Sequence, residues 1–125
     1  MITLKEVIQL HNEIIGLSGG GNGLRDEGSL MAALGRPYAT FDQNDLYPTA
    51  IEKAAAIFES IVINHPFIDG NKRTSYVLMR LILREDGRDI SATEDEKYKL
   101  VIAASTGQIR FDEIKAWLEK NVAQL

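Results

Sequence analysis

Asn64-His65-Pro66-Phe67-Ile68-Asp69-Gly70-Asn71-Lys72-Arg73-Thr74 is the stretch that organises this chain. Ahead of it, Ala54, Ala55, Ile57, Phe58, Ile61 and Val62 follow helical spacing, and predict a largely buried helix with Pro48 in its first turn and Thr49 close by. Behind it, Tyr76-Val77-Leu78-Met79 and Leu81-Ile82-Leu83 predict a second helix from about Lys72 to about Asp86. Its apolar residues wrap most of the circumference, which places it at the middle of a bundle. A connection between two such helices need only be short and polar. This one carries His, Asp, Asn, Lys and Arg within nine residues.

Gly70 and Asn71 are the residue types that most readily turn left-handed. Successive amides turned inward there form an anion-binding nest. The nest opens onto the N-terminus of the next helix, with its unpaired N–H groups and the positive end of its dipole. Lys72 and Arg73 add two cations where the dipole alone disfavours them, which points to an anion, most simply a phosphate. Asp69 supplies a hard carboxylate oxygen of the kind that shares Mg²⁺ with phosphate oxygens. His65, at the end of the preceding helix, has the one side chain here suited to removing a proton near neutral pH. Taken singly, His65 reads as a helix-end residue and Asp69 as a turn or N-cap residue. Taken together they match phosphoryl transfer, which depends on positioning and charge neutralisation.

Outward from this centre the chain reads as further helices. Thr3 and Glu6 form a capping box ahead of Leu4, Val7, Ile8, His11, Ile14 and Ile15, with an end near Gly16. His11 on that apolar stripe reads as a satisfied core histidine. Ser18 to Gly23 is glycine-rich, lacks the Lys-Ser/Thr of a Walker A loop and reads as a connector. Asp26 caps a short helix carrying Leu30, Met31, Ala33 and Leu34, and Arg25 is read with that cap. Arg36 to Pro48 looks irregular, and its aromatic residues Tyr38, Phe41 and Tyr47 read either as a lid or partner surface or as rings that tie the loop to the core. Asp89-Ile90-Ser91 is too short to assign. Thr93 and Glu96 repeat the capping box and open a helix through Leu100, Val101 and Ala104, which Thr106-Gly107 breaks. Asp112 leads into a last helix carrying Ile114, Trp117, Leu118 and Val122, with Trp117 as core. The expected fold is all-α, a single compact bundle of about six helices forming one domain over residues 1–125.

The bulk composition agrees. A hydrophobic fraction of 45% and a charged fraction of 26% are those of an ordinary globular chain. The absence of Cys removes disulfides and thiolate chemistry. With two His and no Cys, a structural zinc site is not expected. A net charge of −4 argues against direct nucleic-acid binding. No apolar run reaches the length of a membrane span, and Met1 to Glu6 lacks the look of a secretion signal, so a cytoplasmic location is expected.

The central stretch resembles the signature of the Fic/Doc family, His-x-Phe-x-(Asp/Glu)-Gly-Asn-Gly-Arg-x-x-Arg. His65, Phe67, Asp69, Gly70, Asn71 and Arg73 fall on its positions. The resemblance implies that His65 is the general base for a target hydroxyl and that Asp69 binds Mg²⁺. It further implies that Gly70, Asn71 and Arg73 hold the phosphates of ATP, beside the Lys72 cation already read as phosphate-binding, with Phe67 anchoring the loop. Lys72 replaces the second Gly of the signature, and Tyr76 stands where the last Arg would be. Both changes look like the Doc ("death on curing") branch, as does Gly23-Leu24-Arg25-Asp26-Glu27-Gly28-Ser29-Leu30. A Lys fills space that Gly leaves open, and loss of the Arg removes a bidentate phosphate clamp.

The resemblance therefore implies a toxin that transfers the γ-phosphate of ATP to a hydroxyl of elongation factor Tu and so blocks translation. An AMP-transferring Fic enzyme and a non-catalytic helical module that binds nucleotide or protein are the competing readings. The Ser/Thr-x-x-x-Glu-Gly/Asn element of self-inhibited Fic proteins is not present: only Glu27 precedes a Gly or Asn, and Gly23, four residues earlier, has no hydroxyl. Inhibition in trans, by an antitoxin segment folding as a helix in a groove, is the matching expectation.

Overall fold

The computed structural model describes residues 1–125. Six α-helices account for most of it: α1 (Leu4–Ser18), α2 (Glu27–Gly35), α3 (Ala50–Asn64), α4 (Asn71–Glu85), α5 (Glu94–Ser105) and α6 (Phe111–Asn121). Their starts follow local chemistry. Both capping boxes form, with Thr3 and Thr93 accepting from the N–H groups of Glu6 and Glu96 while those carboxylates accept in return. Asp26 accepts from the Ser29 N–H at 3.0 Å to open α2. Thr49 is the N-cap of α3, which leaves Pro48 just outside the first turn.

The centre of the bundle is α3. Ala54 to Val62 are buried without a break, on every face, because three consecutive alanines let neighbouring helices approach closely. This corrects the sequence expectation, which put α4 in the middle. Leu81 is 39% exposed and Tyr76, Val77 and Arg80 are half-buried, so α4 packs one side on α3 and turns the other outward. Phe58, Ile61, Leu78, Met79, Leu83, Ile114 and Leu118 form the core around that contact. Trp117 is half-buried at the edge of the core rather than inside it.

Two small antiparallel pairs complete the fold. After a 3-10 turn (Arg36–Tyr38), β1 (Thr40–Phe41) and β2 (Asn44–Asp45) make a hairpin where the sequence looked irregular. Asp42 and Gln43 both take positive φ, the geometry that two-residue hairpin turns demand. β3 (Arg88–Ile90) pairs with β4 (Val122–Gln124). Val122 therefore belongs to a strand, not to the last helix. The helix stops at Asn121, whose side chain donates to the Trp117 carbonyl while its own carbonyl accepts the Ser91 N–H. No helix is long and apolar enough to cross a membrane.

Candidate active site

Residues 65–70 turn the chain from α3 into α4. His65 ends α3 in the left-handed region at φ 49° and ψ 60°, and Pro66 prevents the helix from running on. The two carbonyls at this end are claimed by one guanidinium: Arg25 donates to Asn64 O at 2.5 Å and to His65 O at 2.7 Å. Arg25 thus caps a helix end 40 residues away in sequence, while Asp26 caps α2. The backbone joins in. Arg25 and Asp26 N–H both donate to Pro66 O, Leu24 bridges Phe67, and Ile68 N–H donates to Gly23 O. The imidazole of His65 is left exposed and makes no hydrogen bond within the protein.

The rest of the corner is braced from beneath. Phe67 is 1% exposed and stacks on His11 with ring centroids 3.8 Å apart. The His11 Nε2–H donates to the Asp69 carbonyl at 2.7 Å, so this buried histidine is satisfied by the loop itself. Asn71 closes a ring onto Phe67: its Oδ1 accepts from the Phe67 N–H and its Nδ2 donates to the Phe67 carbonyl. The Asn71 side chain therefore shapes the loop, and what it turns toward a ligand is its backbone N–H. Gly70 takes φ 77°, and a Cβ there would lie 2.9 Å from the Ile15 side chain. Only glycine satisfies both the turn and the contact with α1.

Over the top of the corner lies the glycine-rich segment. The Asp69 carboxylate accepts from the Gly70 N–H at 2.8 Å and from the Gly21 N–H at 3.2 Å, and these bonds hold its pKa below the usual carboxylate range. Arg73 donates to Ser18 Oγ and to the Gly19 carbonyl. The segment read as a connector is thus a clasp across the site. Its partners stand some 50 residues away, so nothing local to Ser18–Gly23 announces them.

What remains unneutralised is concentrated at the head of α4. No side chain caps it, and the N–H groups of Asn71, Lys72 and Arg73 have no protein acceptor. Lys72 is exposed and makes no ion pair. A pocket of about 340 Å³ runs from His65 past Asp69 and Gly70 to Lys72 and Arg73. All the residues singled out in the sequence border it except Phe67, which lies below. Asp69 is its one carboxylate, and no group of three or more His, Cys, Asp or Glu converges anywhere in the chain. A lone ionised carboxylate beside an anion pocket fits Mg²⁺, which completes its shell with phosphate oxygens and water.

Comparison with known proteins accords with this geometry. The profile of the Fic/DOC family matches residues 1–83. The chain is 42% identical over 77 residues to a protein named Toxin Doc from Mycolicibacterium smegmatis, a match covering 62% of this chain and 59% of that toxin. It is 29% identical over 119 residues to Protein kinase doc of Escherichia phage P1, covering 95% of this chain and 93% of the phage protein. It is 33% identical over 103 residues to Protein adenylyltransferase Fic of Drosophila grimshawi, covering 69% of this chain and 21% of the fly protein. With the profile covering helices α1 to α3, the whole corner between His65 and Arg73 and α4 as far as Leu83, this chain belongs to the Fic/Doc family.

Proposed function

We propose that residues 1–125 form one Fic/Doc domain acting as a Doc-like toxin, which transfers the γ-phosphate of ATP to a hydroxyl of a protein target. The observation that carries this reading is the junction of an unpartnered imidazole, His65, with the uncapped head of α4 inside one pocket. His65 accepts the proton of the target hydroxyl as its oxygen attacks the γ-phosphorus. The bond from that phosphorus to the bridging oxygen breaks, and ADP carries the electron pair away. Charge building on the leaving phosphates is met by the N–H groups of Asn71, Lys72 and Arg73, by the Lys72 ammonium and by the Arg73 guanidinium held at the rim. Asp69, kept ionised by two amides, would hold Mg²⁺, which would supply charge neutralisation for the phosphates.

The γ-phosphate is favoured over AMP by two residues. Lys72 fills space beside the nest, and Tyr76 supplies no guanidinium to clamp a further phosphate. The similarity to Protein kinase doc across nearly all of both chains supports the same choice. Translation elongation factor Tu is the proposed target, the cytoplasm the place of action, and a separate antitoxin the inhibitor, the last in keeping with the similarity to Toxin Doc. Incubation with a cell lysate and labelled ATP tests the reading. Label from the γ-position should reach a protein of the size of elongation factor Tu and label from the α-position should not. Transfer of α-label would overturn the kinase reading in favour of adenylylation, the activity named for the fly relative.

A further inference from the structure

A general base is ordinarily aimed by a third group that holds its far side. His65 has no such group, since its imidazole makes no hydrogen bond within the protein. Its direction is therefore set by the backbone that carries it, and that backbone is strained. At φ 49° and ψ 60° His65 lies in the left-handed region, where the Cβ of an L-residue crowds a carbonyl oxygen. A conformation of that kind persists only where its surroundings over-determine it.

Arg25 supplies most of that determination. Asn64, His65 and Pro66 present successive carbonyls, and Arg25 donates to each: Nη2 to Asn64 O at 2.5 Å, Nε to His65 O at 2.7 Å and its backbone N–H to Pro66 O at 2.8 Å. The φ and ψ of His65 are the angles between the two peptide planes that meet at its Cα. The plane before it is held twice, by the Arg25 bond to Asn64 O and by the His65 N–H on Ile61 O at 3.1 Å. The plane after it has no N–H, because the next residue is Pro66. The His65 carbonyl is its only hydrogen-bonding group, and Arg25 Nε is the donor on it. A guanidinium is a rigid planar fork, so its two bonds fix angle as well as distance.

We infer that Arg25 is the positioning residue of the base: its guanidinium locks the two peptide planes around His65 and so aims an imidazole that no other side chain aims. This deepens the kinase reading and rests on it for the role of His65. The role is separate from docking the segment that carries Arg25. That docking runs through the backbone bonds of Arg25 and Asp26 to Pro66 O and of Ile68 to Gly23 O, and through the Asp26 cap of α2. All of these survive loss of the guanidinium.

Arg25→Ala in the full chain tests this by kinetics and by resonance. With γ-labelled ATP and Mg²⁺, kcat for transfer should fall on the order of 10²-fold, the scale of a reacting group displaced by about 1 Å, while KM for ATP stays at the parent value. Guanidinium ion, at concentrations that leave the parent chain folded, should restore part of kcat, and potassium ion at the same ionic strength should not. Arg25→Lys keeps the charge at the end of α3 and loses only the fork, so it makes the same comparison with little change in stability; its kcat should fall between those of the parent and Arg25→Ala. In the same variants the Cα and Cβ chemical shifts of His65 should leave the left-handed pattern and return to it with guanidinium ion. The amide resonances of Asn71, Lys72 and Arg73 should keep their response to Mg²⁺ with inorganic tripolyphosphate. A raised KM with kcat unchanged, no rescue by guanidinium ion, or His65 shifts identical to those of the parent would each overturn the inference. The resonance measurement needs no turnover: left-handed shifts lost in Arg25→Ala, in a chain that transfers no γ-label, would keep Arg25 as the residue that sets His65 and remove the kinase reading.

Discussion

Two clusters of charge sit on α3, and they are built on opposite plans. Midway along the helix, Glu59 has a side chain only 7% exposed, yet it is fully answered: Arg36 donates to Oε1 at 2.8 Å, and Arg110 and the Phe111 N–H donate to Oε2 at 2.9 and 2.7 Å. Arg36 is itself held by Tyr47 Oη and Ser60 Oγ and lies over the Tyr47 and Phe111 rings. At the C-terminal end of the same helix, the pocket at His65 is the reverse. Its scaffold is saturated, by Arg25, His11, Asn71 and Gly21, while its imidazole, its ammonium and three helix-terminal N–H groups face outward unanswered. The difference teaches how to tell a structural charge cluster from a candidate ligand site. In the first, every charge has a partner in the protein. In the second, the protein satisfies the groups that fix geometry and leaves the charges for something else.

Substitutions at the two clusters should therefore fail in different ways. His65→Ala should have the largest effect, a loss of roughly 10²–10⁴-fold in transfer rate with an unchanged thermal midpoint, since the ring supports nothing. A variant that lost activity only by unfolding would erase the contrast. Glu59→Ala should do the converse. It strands two guanidinium groups and should lower stability by about 3 kcal/mol in denaturant unfolding. Burial opposes ionisation of Glu59, but the bonds from Arg36 and Arg110 outweigh it, so its carboxyl titrates below the ordinary range in the folded chain. The stabilisation it brings is present above the unfolded-state value and is lost as pH falls through the lower, folded one. Acid unfolding should thus be less steep in Glu59→Ala than in the parent chain. The smallest expected effect is at Thr74, a fully buried residue of α4 whose hydroxyl has no partner. Thr74→Val should raise stability by up to about 1 kcal/mol in the same unfolding measurement, because it removes an unanswered polar group without changing shape.

Helix starts and the turn between α3 and α4 were legible because their causes are local. Thr3 with Glu6, Thr93 with Glu96 and Asp26 each act within three residues, and the His65–Arg73 stretch carries its chemistry in one continuous run. What escaped has causes distant in sequence. Arg25 reads as part of its own helix cap, yet its guanidinium closes another helix 40 residues on. Ser18 to Gly23 reads as slack because Asp69 and Arg73, which give it a purpose, come later. Burial of α3 over α4 could not be ranked from periodicity, since both are apolar; the decision lay in the Ala54-Ala55-Ala56 run. The β3–β4 pair was hidden for a similar reason, as each three-residue strand is meaningless without the other.

The bond from His11 to Asp69 joins residues 58 positions apart. A ribosome adding roughly 5–20 residues per second delivers the first of them about 3–12 s before the second. During that interval the brace for the corner has been made but the corner has not. For a chain proposed to arrest the machinery that makes it, assembly order is a form of safety: no harmful geometry exists until the last piece of its support has something to support.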